Sequence, residues 1–344
     1  MEQDLEYPLV TIVMPMYNEQ NHISTCLKSL VEQDYDQNAL EILVVDGMSS
    51  DGSRAIVLEW RQEYPHITLL DNPKRITPAA MNVGIRAAHG GVIARVDAHS
   101  LVAPDFVHKC IECLQRSSAD FVGGPLQYIA QSFMAKTISL AVSSPFGVGN
   151  SAFRYSKKEQ FVDTVAFGAY RREVFDRVGL FDENLLTNED YDLAYRIRKT
   201  GGRILLSPTI QSFYHNRASL PGLWEQYFRY GFWKIRMLCK HPASIAPRQI
   251  VPPIFVLSLL LSLLLGIFLQ GFVYLFLFIV STYFIFSLVV SLLIASQKGW
   301  KYLPFLPLAF ICLHVGWGAG FLWGLFRWGA RWKVIRAELA SSPW

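Results

Sequence analysis

Val92-Ile93-Ala94-Arg95-Val96-Asp97-Ala98-His99-Ser100 is the stretch from which the rest of the chain can be ordered. Residues 92–96 follow a pair of glycines and have the length and apolar character of a buried strand. Asp97 and His99, two apart just past its end, can turn together toward one ligand. A divalent cation that also holds a diphosphate accepts one or two protein groups and keeps its other positions open. Standing alone the pair decides little, because an Asp after a strand also serves as a turn or cap residue.

The preceding chain repeats one unit. Residues 9–14 are apolar and β-branched, stop at Pro15, and lead through Met16-Tyr17-Asn18-Glu19 into an amphipathic helix pattern over 19–33. Residues 40–45 read as a second strand that exits through Asp46-Gly47-Met48-Ser49-Ser50-Asp51-Gly52, and 53–64 as a second helix. A third strand at 67–70 leads to Thr77-Pro78, which starts a helix running to about residue 89. Strand and helix alternating in this way predict an α/β fold with a parallel sheet and helices on both faces. Ligands of such sheets bind beyond the carboxyl ends of the strands. Each polar cluster there reads by itself as an ordinary turn. Three at strand ends, with Lys74, Arg75 and Asn82 between them to meet negative charge, read as a nucleotide site.

The second half of the chain differs in composition. Charged residues are frequent up to about residue 240, whereas 250–326 holds only Lys298 and Lys301, which excludes a purely soluble protein. Residues 251–269, 272–295 and 303–326 are each long enough to cross a bilayer at about 20 residues per span. The first two predict a hairpin around Gln270-Gly271. With Arg248 inside, Lys298 and Lys301 are inside too, as the positive-inside rule requires. A third crossing would then leave Arg327, Arg331, Lys333 and Arg336 outside. Either the third segment, with Pro304 and Pro307 near its start, is re-entrant or interfacial, or the rule is broken. Gly316, Gly320 and Gly324 offer a close-packing face, within the chain or between copies in a homo-oligomer. The net charge of +4 comes largely from this half and suits anionic lipid headgroups better than nucleic acid. The acidic start, Met1-Glu2-Gln3-Asp4-Leu5-Glu6, is unlike a signal peptide, so the first domain is expected in the cytosol, and the five cysteines read as free thiols.

The chain resembles the family 2 glycosyltransferases of the GT-A fold, and among them the succinoglycan-biosynthesis glucosyltransferase type with a C-terminal membrane tail. The resemblance runs over about residues 10–242. Its motifs are Val13-Met14-Pro15-Met16-Tyr17-Asn18-Glu19, the Asp46 to Gly52 exit with Val44-Val45 before it, Ala80-Met81-Asn82-Val83-Gly84, Val96-Asp97-Ala98-His99, Asn188-Glu189-Asp190 and Gln226-Tyr227-Phe228-Arg229-Tyr230. Ser144-Pro145-Phe146-Gly147-Val148-Gly149-Asn150 and the membrane tail are shared with the succinoglycan type.

The resemblance implies a Rossmann-like, mostly parallel GT-A catalytic domain over 1–219 in the cytosol. An amphipathic interfacial helix region follows over 220–249, and a transmembrane region with a basic tail over 250–344. It implies that Pro15, Tyr17, Glu19, Asp46 and Asp51 surround the nucleoside, with Asp46 on the base or ribose. Asp97 and His99 stand where the family's D-x-D motif holds a metal on the donor diphosphate. The His is a departure that leaves Asp97 the safer ligand and shifts the metal toward Mn2+, with Mg2+ still admissible. Gln226, Arg229 and Tyr230 resemble the family's Q-x-x-R-W motif with Tyr for Trp, placed to close over the diphosphate and present a lipid acceptor.

Residues 163–167 read as a further strand and 171–178 as a short helix. Thr187-Asn188-Glu189-Asp190-Tyr191-Asp192 opens a helix that stops at Gly201-Gly202. Acids at a helix start also act as caps. By the resemblance Asp190 is the base that takes the acceptor proton; Glu189 and Asp192 are read as orienting sugar hydroxyls, and His215, in a surface loop, as an ordinary histidine or one in reach of the metal. The implied activity is metal-dependent, inverting transfer of a hexose, glucose foremost, from a UDP-sugar. The acceptor is a polyprenyl-diphosphate-linked saccharide in exopolysaccharide synthesis at the cytoplasmic membrane. The alternatives are transfer to a polyprenyl phosphate and a non-enzymatic nucleotide-sugar-binding scaffold.

Overall fold

The computed structural model describes residues 8–329, so the acidic N-terminal residues and the basic tail with Arg331, Lys333 and Arg336 lie outside the described residues. In chain order the elements are β1 (Val10–Met16), α1 (Ile23–Val31), β2 (Leu40–Asp46), α2 (Ser53–Glu63), β3 (Ile67–Asp71), α3 (Thr77–Ala87), β4 (Val92–Arg95), β5 (Ser100–Val102), α4 (Phe106–Arg116), β6 (Phe121–Gly123) and β7 (Leu126–Ile129). Then come α5 (Phe133–Val142), α6 (Pro145–Val148), β8 (Gln160–Phe161), β9 (Gly168–Arg171), α7 (Glu173–Val178), α8 (Glu189–Lys199), β10 (Ile204–Leu206) and β11 (Ser212–His215). The chain continues through α9 (Leu220–Lys240), α10 (Pro247–Gly266), α11 (Gln270–Lys298) and α12 (Leu306–Gly329). The described chain forms two compact units, 8–129 with 155–215, and 130–154 with 216–329.

The first unit is a mixed α/β core. Its main sheet has the order β3-β2-β1-β4-β9-β6-β10-β8. The neighbours from β3 to β4 are parallel, while β9 runs antiparallel to both β4 and β6. β5, β11 and β7 form a small second sheet. The central strands are apolar on both faces because helices cover both: Ile12, Met14, Ile42 and Val44 are fully buried with Leu27 and Leu30 of α1, and Val13 and Leu43 are buried on the opposite face. Each such side chain contributes roughly 1.5–3 kcal/mol on leaving water. On the other face α3 lies so close to β1 that a Cβ on Gly84 would sit 2.3 Å from Val13 Cγ1.

Two sequence expectations are corrected here. Residues 163–167 are not a strand; the pairing begins at Gly168. A Cβ there would stand 1.8 Å from the Val122 carbonyl oxygen, so only glycine lets β9 approach β6. Val165 and Phe167 look like strand residues because they are buried, but they fill the approach loop. The domain boundary also differs, since 130–154 belongs with the C-terminal helices rather than with the catalytic core. Its physical cause is the apolar face of α5, where Ala135, Ile138, Ala141 and Val142 are buried. Phe133 stacks on Tyr302 at 5.2 Å.

Within the second unit α6 is tied down by polar contacts. His314 Nε2 lies 2.9 Å from the Phe146 carbonyl and its Nδ1 lies 3.0 Å from the Tyr283 hydroxyl, so one imidazole joins α6, α11 and α12. Arg248 donates to Asn150 Oδ1 at 2.8 Å. The glycine face of α12 is filled from within the chain: a Cβ on Gly316, Gly320 or Gly324 would meet the α9 backbone at 3.3, 2.0 or 2.9 Å. α10, α11 and α12 are each long and apolar enough to cross a membrane.

Candidate active site

Parallel register brings the carboxyl ends of the first strands to one edge, with Met16 level with Asp46 and Val13 level with Arg95. The loops leaving this edge hold Asn18, Met48 and Arg75, three of the four non-glycine residues with positive φ among the described residues. The fourth, Asn188, is the entry to α8. Each such conformation costs on the order of 1–3 kcal/mol and persists where surrounding structure over-determines it.

The surrounding structure is a lattice of side-chain hydrogen bonds. Asn18 N–H donates to Ser49 Oγ and Asn18 Oδ1 accepts from Ser50 N–H at 2.8 Å, while Glu19 N–H donates to Ser53 Oγ at 2.7 Å. Asp51 accepts from the Ser53 hydroxyl and amide and from Gln20 N–H. Desolvation works against its charge, but the Ser53 and Gln20 donors outweigh it and hold this carboxyl below its usual range. Asp46 is fully buried; it accepts from the Ser49 hydroxyl at 2.5 Å and from Arg54 at 2.7 Å. Tyr17 is 47% exposed above Gly47, where a Cβ would stand 3.1 Å from its ring. Pro15 is half-buried at the end of β1, and Arg75 is exposed. Thus Tyr17 and Arg75 face solvent at the edge, whereas Asp46 and Asp51 also brace the loops that carry them.

Asn82 is buried. Its Nδ2 donates to the Phe181 carbonyl and to Glu183 Oε1, both at 2.9 Å, and its Oδ1 accepts from Phe181 N–H at 2.9 Å. It pins the turn before α8, and Lys74 pairs with Glu183 on the outside. The expected direct ligand is in this structure a positioning residue. Asp192 is likewise fully buried and accepts from Arg196 Nε at 2.8 Å, while the same guanidinium donates to the carbonyls of Val178, Gly179 and Leu180. Its carboxylate braces Arg196, whose guanidinium fastens α8 to the end of α7, and it has no exposed surface to offer a sugar.

At the centre stands a residue that sequence reading passed over. Arg95, in β4 and only 7% exposed, donates from Nε to Asp97 Oδ1 at 2.9 Å and from Nη1 to Glu189 Oε1 at 3.4 Å. One guanidinium therefore ties the end of β4 to the start of α8 and sets Asp97 beside the Glu189-Asp190 pair. Burial opposes the charge on Asp97, but Arg95 and then His99 hold this carboxyl below its usual range. Glu189 goes the other way: burial, reinforced by the neighbouring Asp190, pushes it up to about 7. Asp190 is half-buried, one oxygen accepting from Tyr191 N–H at 2.7 Å. An arginine inside an apolar strand pattern was the available signal, since a buried guanidinium needs carboxylate partners.

His99 Nδ1 lies 2.9 Å from Glu19 Oε1, and its ring meets Tyr214 edge-on at 5.3 Å. A carboxylate on Nδ1 fixes the tautomer in which Nε2 carries the lone pair, the arrangement that orients metal-binding imidazoles. Glu19 thus belongs to the His99 side of the site. The His215 ring is tilted against that of His22 at 4.8 Å, and burial, with the imidazoles of His22 and His99, lowers its proton affinity. Among the described residues no group of three or more His, Cys, Asp or Glu encloses a metal position. Asp97 and His99 still fit a cation that keeps most of its positions for a diphosphate. Gln226, Arg229 and Tyr230 lie in the second unit, on α9, where Gln226 Nε2 donates to the Tyr230 hydroxyl at 3.2 Å and Arg229 is exposed.

The model of glycosyl transferase family 2 matches residues 11–179. The chain is 33% identical over 243 residues, 70% of its length and 73% of the relative's, to the succinoglycan biosynthesis protein ExoA of Rhizobium meliloti. It is 28% identical over 333 residues, 94% of its length and 99% of the relative's, to the dolichyl N-acetyl-alpha-D-glucosaminyl phosphate 3-beta-D-2,3-diacetamido-2,3-dideoxy-beta-D-glucuronosyltransferase of Methanococcus voltae. Among solved structures, the mannosyltransferase PcManGT of Pyrobaculum calidifontis, in complex with GDP-Man and Mn2+, superposes with a TM-score of 0.59 at 20% identity, over 93% of this chain and 88% of that one. The fold is GT-A, and with the site it frames and the family match over the same strands, the chain belongs to glycosyl transferase family 2.

Proposed function

We propose that this glycosyltransferase moves a hexose, glucose foremost, from a UDP-sugar to a saccharide carried on a polyprenyl diphosphate, with inversion at the anomeric carbon. The observation that carries the reading is the Arg95 bridge, which holds Asp97 beside Glu189 and Asp190 at the sheet edge. Asp97 and His99 would hold a divalent cation, Mn2+ or Mg2+, which would supply charge neutralisation to the departing diphosphate. Tyr17 and the 46–51 loop frame the nucleoside, and Arg75 adds positive charge. Asp190 takes the proton of the acceptor hydroxyl as its oxygen bonds to the anomeric carbon and the bond to UDP breaks on the opposite face. Glu189, neutral more often than an ordinary carboxyl, donates to or accepts from sugar hydroxyls.

The lipid-linked acceptor is supported by the Methanococcus relative, whose name describes a dolichyl-phosphate-linked sugar as its substrate, and by the apolar helices. The catalytic unit works on the cytosolic face of the cytoplasmic membrane in this reading, because nucleotide sugars are made in the cytosol. Membranes bearing the protein, given labelled UDP-glucose and lipid extract, are expected to yield a solvent-extractable lipid heavier by one hexose on its existing saccharide. Label found on polyprenyl monophosphate, with activity surviving in Asp190→Asn, would instead establish the phosphate-acceptor reading. Tight binding of UDP-sugars with no turnover under any acceptor would leave only a binding scaffold.

A further inference from the structure

We propose that α12, despite its length and apolarity, does not cross the bilayer: α9 and α12 form a paired plate that docks on an anionic lipid headgroup surface, and only the α10–α11 hairpin spans. The pairing is read from the close approaches of glycines. A Cβ on Gly316 would stand 3.3 Å from the Trp224 carbonyl, on Gly320 2.0 Å from that of Phe228, and on Gly324 2.9 Å from that of Phe232. These three partners lie 92 residues apart and the reciprocal Gly231–Trp317 approach 86, so the two helices run parallel. Gly231 answers from the α9 side, where a Cβ would stand 2.2 Å from the Trp317 carbonyl, and the Arg236 guanidinium lies 5.1 Å from the Trp328 ring. The alignment therefore continues to the end of α12.

Whatever depth α12 takes, α9 takes with it. Glu225 and Arg229 are exposed on α9. By these pairings they lie level with residues 311–321, the middle of α12. Were α12 a transmembrane span, both charges would stand at the bilayer centre, facing lipid, among the costliest positions for a side chain. Lying in the interface, the pair puts Glu225 and Arg229 among headgroups, and the aromatic residues of both helices where tryptophan and tyrosine are favoured.

The hairpin agrees. α10, with 20 residues, is about 30 Å long and suffices for one crossing, while α11 has 29. The buried positions of α11, Ser287, Ser291 and Ala295, fall in its C-terminal half, and Gly318 of α12 approaches the Pro252 carbonyl near the start of α10. α12 thus meets the hairpin at its base, and the distal part, with Leu264, Phe268, Tyr274 and Phe278, is left exposed for lipid. Two crossings return Lys298, Lys301 and Arg327 to the side of Arg248, which removes the conflict with the positive-inside rule. Besides the buried Lys234, residues 216–329 carry eight Lys and Arg against the single acid Glu225, the charge balance that an anionic surface attracts.

The test is sided labelling of the full-length protein in sealed membranes of both orientations with a membrane-impermeant maleimide, each site located by peptide mass. The substitutions are Glu225→Cys, Gln270→Cys, Lys298→Cys and Arg327→Cys, one at a time. Four of the native cysteines are buried and Cys312 is half-buried, so they serve as internal references. The proposal expects Gln270→Cys to label from one face alone, and the other three from the opposite face alone. Labelling of Arg327→Cys from the face that labels Gln270→Cys, or protection of Glu225→Cys from both faces, would overturn it.

Discussion

Asp190→Asn is expected to lower kcat by about 10²- to 10⁴-fold, the range that a positioned general base contributes, with little change in the KM for the donor. Asn keeps the size and the hydrogen bond from Tyr191 N–H but cannot accept the acceptor proton. The competing account is structural, because acids in the first turn of a helix stabilise it. α8 opens on Glu189, Asp190 and Asp192 after Asn188, whose own side chain makes no capping hydrogen bond. Losing a first-turn interaction costs about 0.5–2 kcal/mol and appears as a lower Tm, with kcat intact in the molecules that remain folded. Measuring kcat and Tm on the same preparation separates the two. A variant that loses stability but keeps its turnover makes Asp190 a helix-start residue and nothing more.

Arg95→Met carries the largest expected loss of stability. It removes the one cation between two carboxylates that are mostly buried, with side-chain exposures of 18% at Asp97 and 10% at Glu189. Breaking a buried ion pair from one side costs about 3–5 kcal/mol, because the remaining charge has neither water nor partner. Glu189, already pushed up to about 7, is expected to shed that penalty by taking a proton; Asp97, which Arg95 holds low, has further to go. A double variant, Arg95→Met with Glu189→Gln, should therefore recover part of the lost Tm without recovering metal-dependent turnover. Equal Tm in the single and double variants would show that Arg95 stabilises the unit through other contacts.

Much of the core was legible because its cues are local. The strand and helix patterns through residue 96 and the polar clusters at the strand ends rest on periodicity and turn chemistry, and the structure places those clusters on one edge. What escaped depends on approaches between distant segments. β9 starts at Gly168 because Val122 leaves no room for a side chain, a fact invisible at Gly168 itself. Asp46, Asn82 and Asp192 have the residue types of ligands, yet Arg54, Phe181 and Arg196 use much of their hydrogen-bonding capacity. Arg95 was overlooked for the opposite reason, a charge hidden in an apolar run whose partners lie 2 and 94 residues away. The 130–154 segment was assigned to the catalytic core by position, and only its apolar contacts with Tyr302 and Leu313 reveal where it packs.

The most direct measurement is UDP release from a panel of nucleotide sugars by the purified full-length protein, with Mn2+, Mg2+ or a chelator, for wild type, Asp97→Asn and Asp190→Asn. Turnover of one UDP-sugar only with metal, and loss of it in both variants, is the predicted result. Turnover that persists in chelator, or variants that match wild type, would contradict the roles given to Asp97 and Asp190.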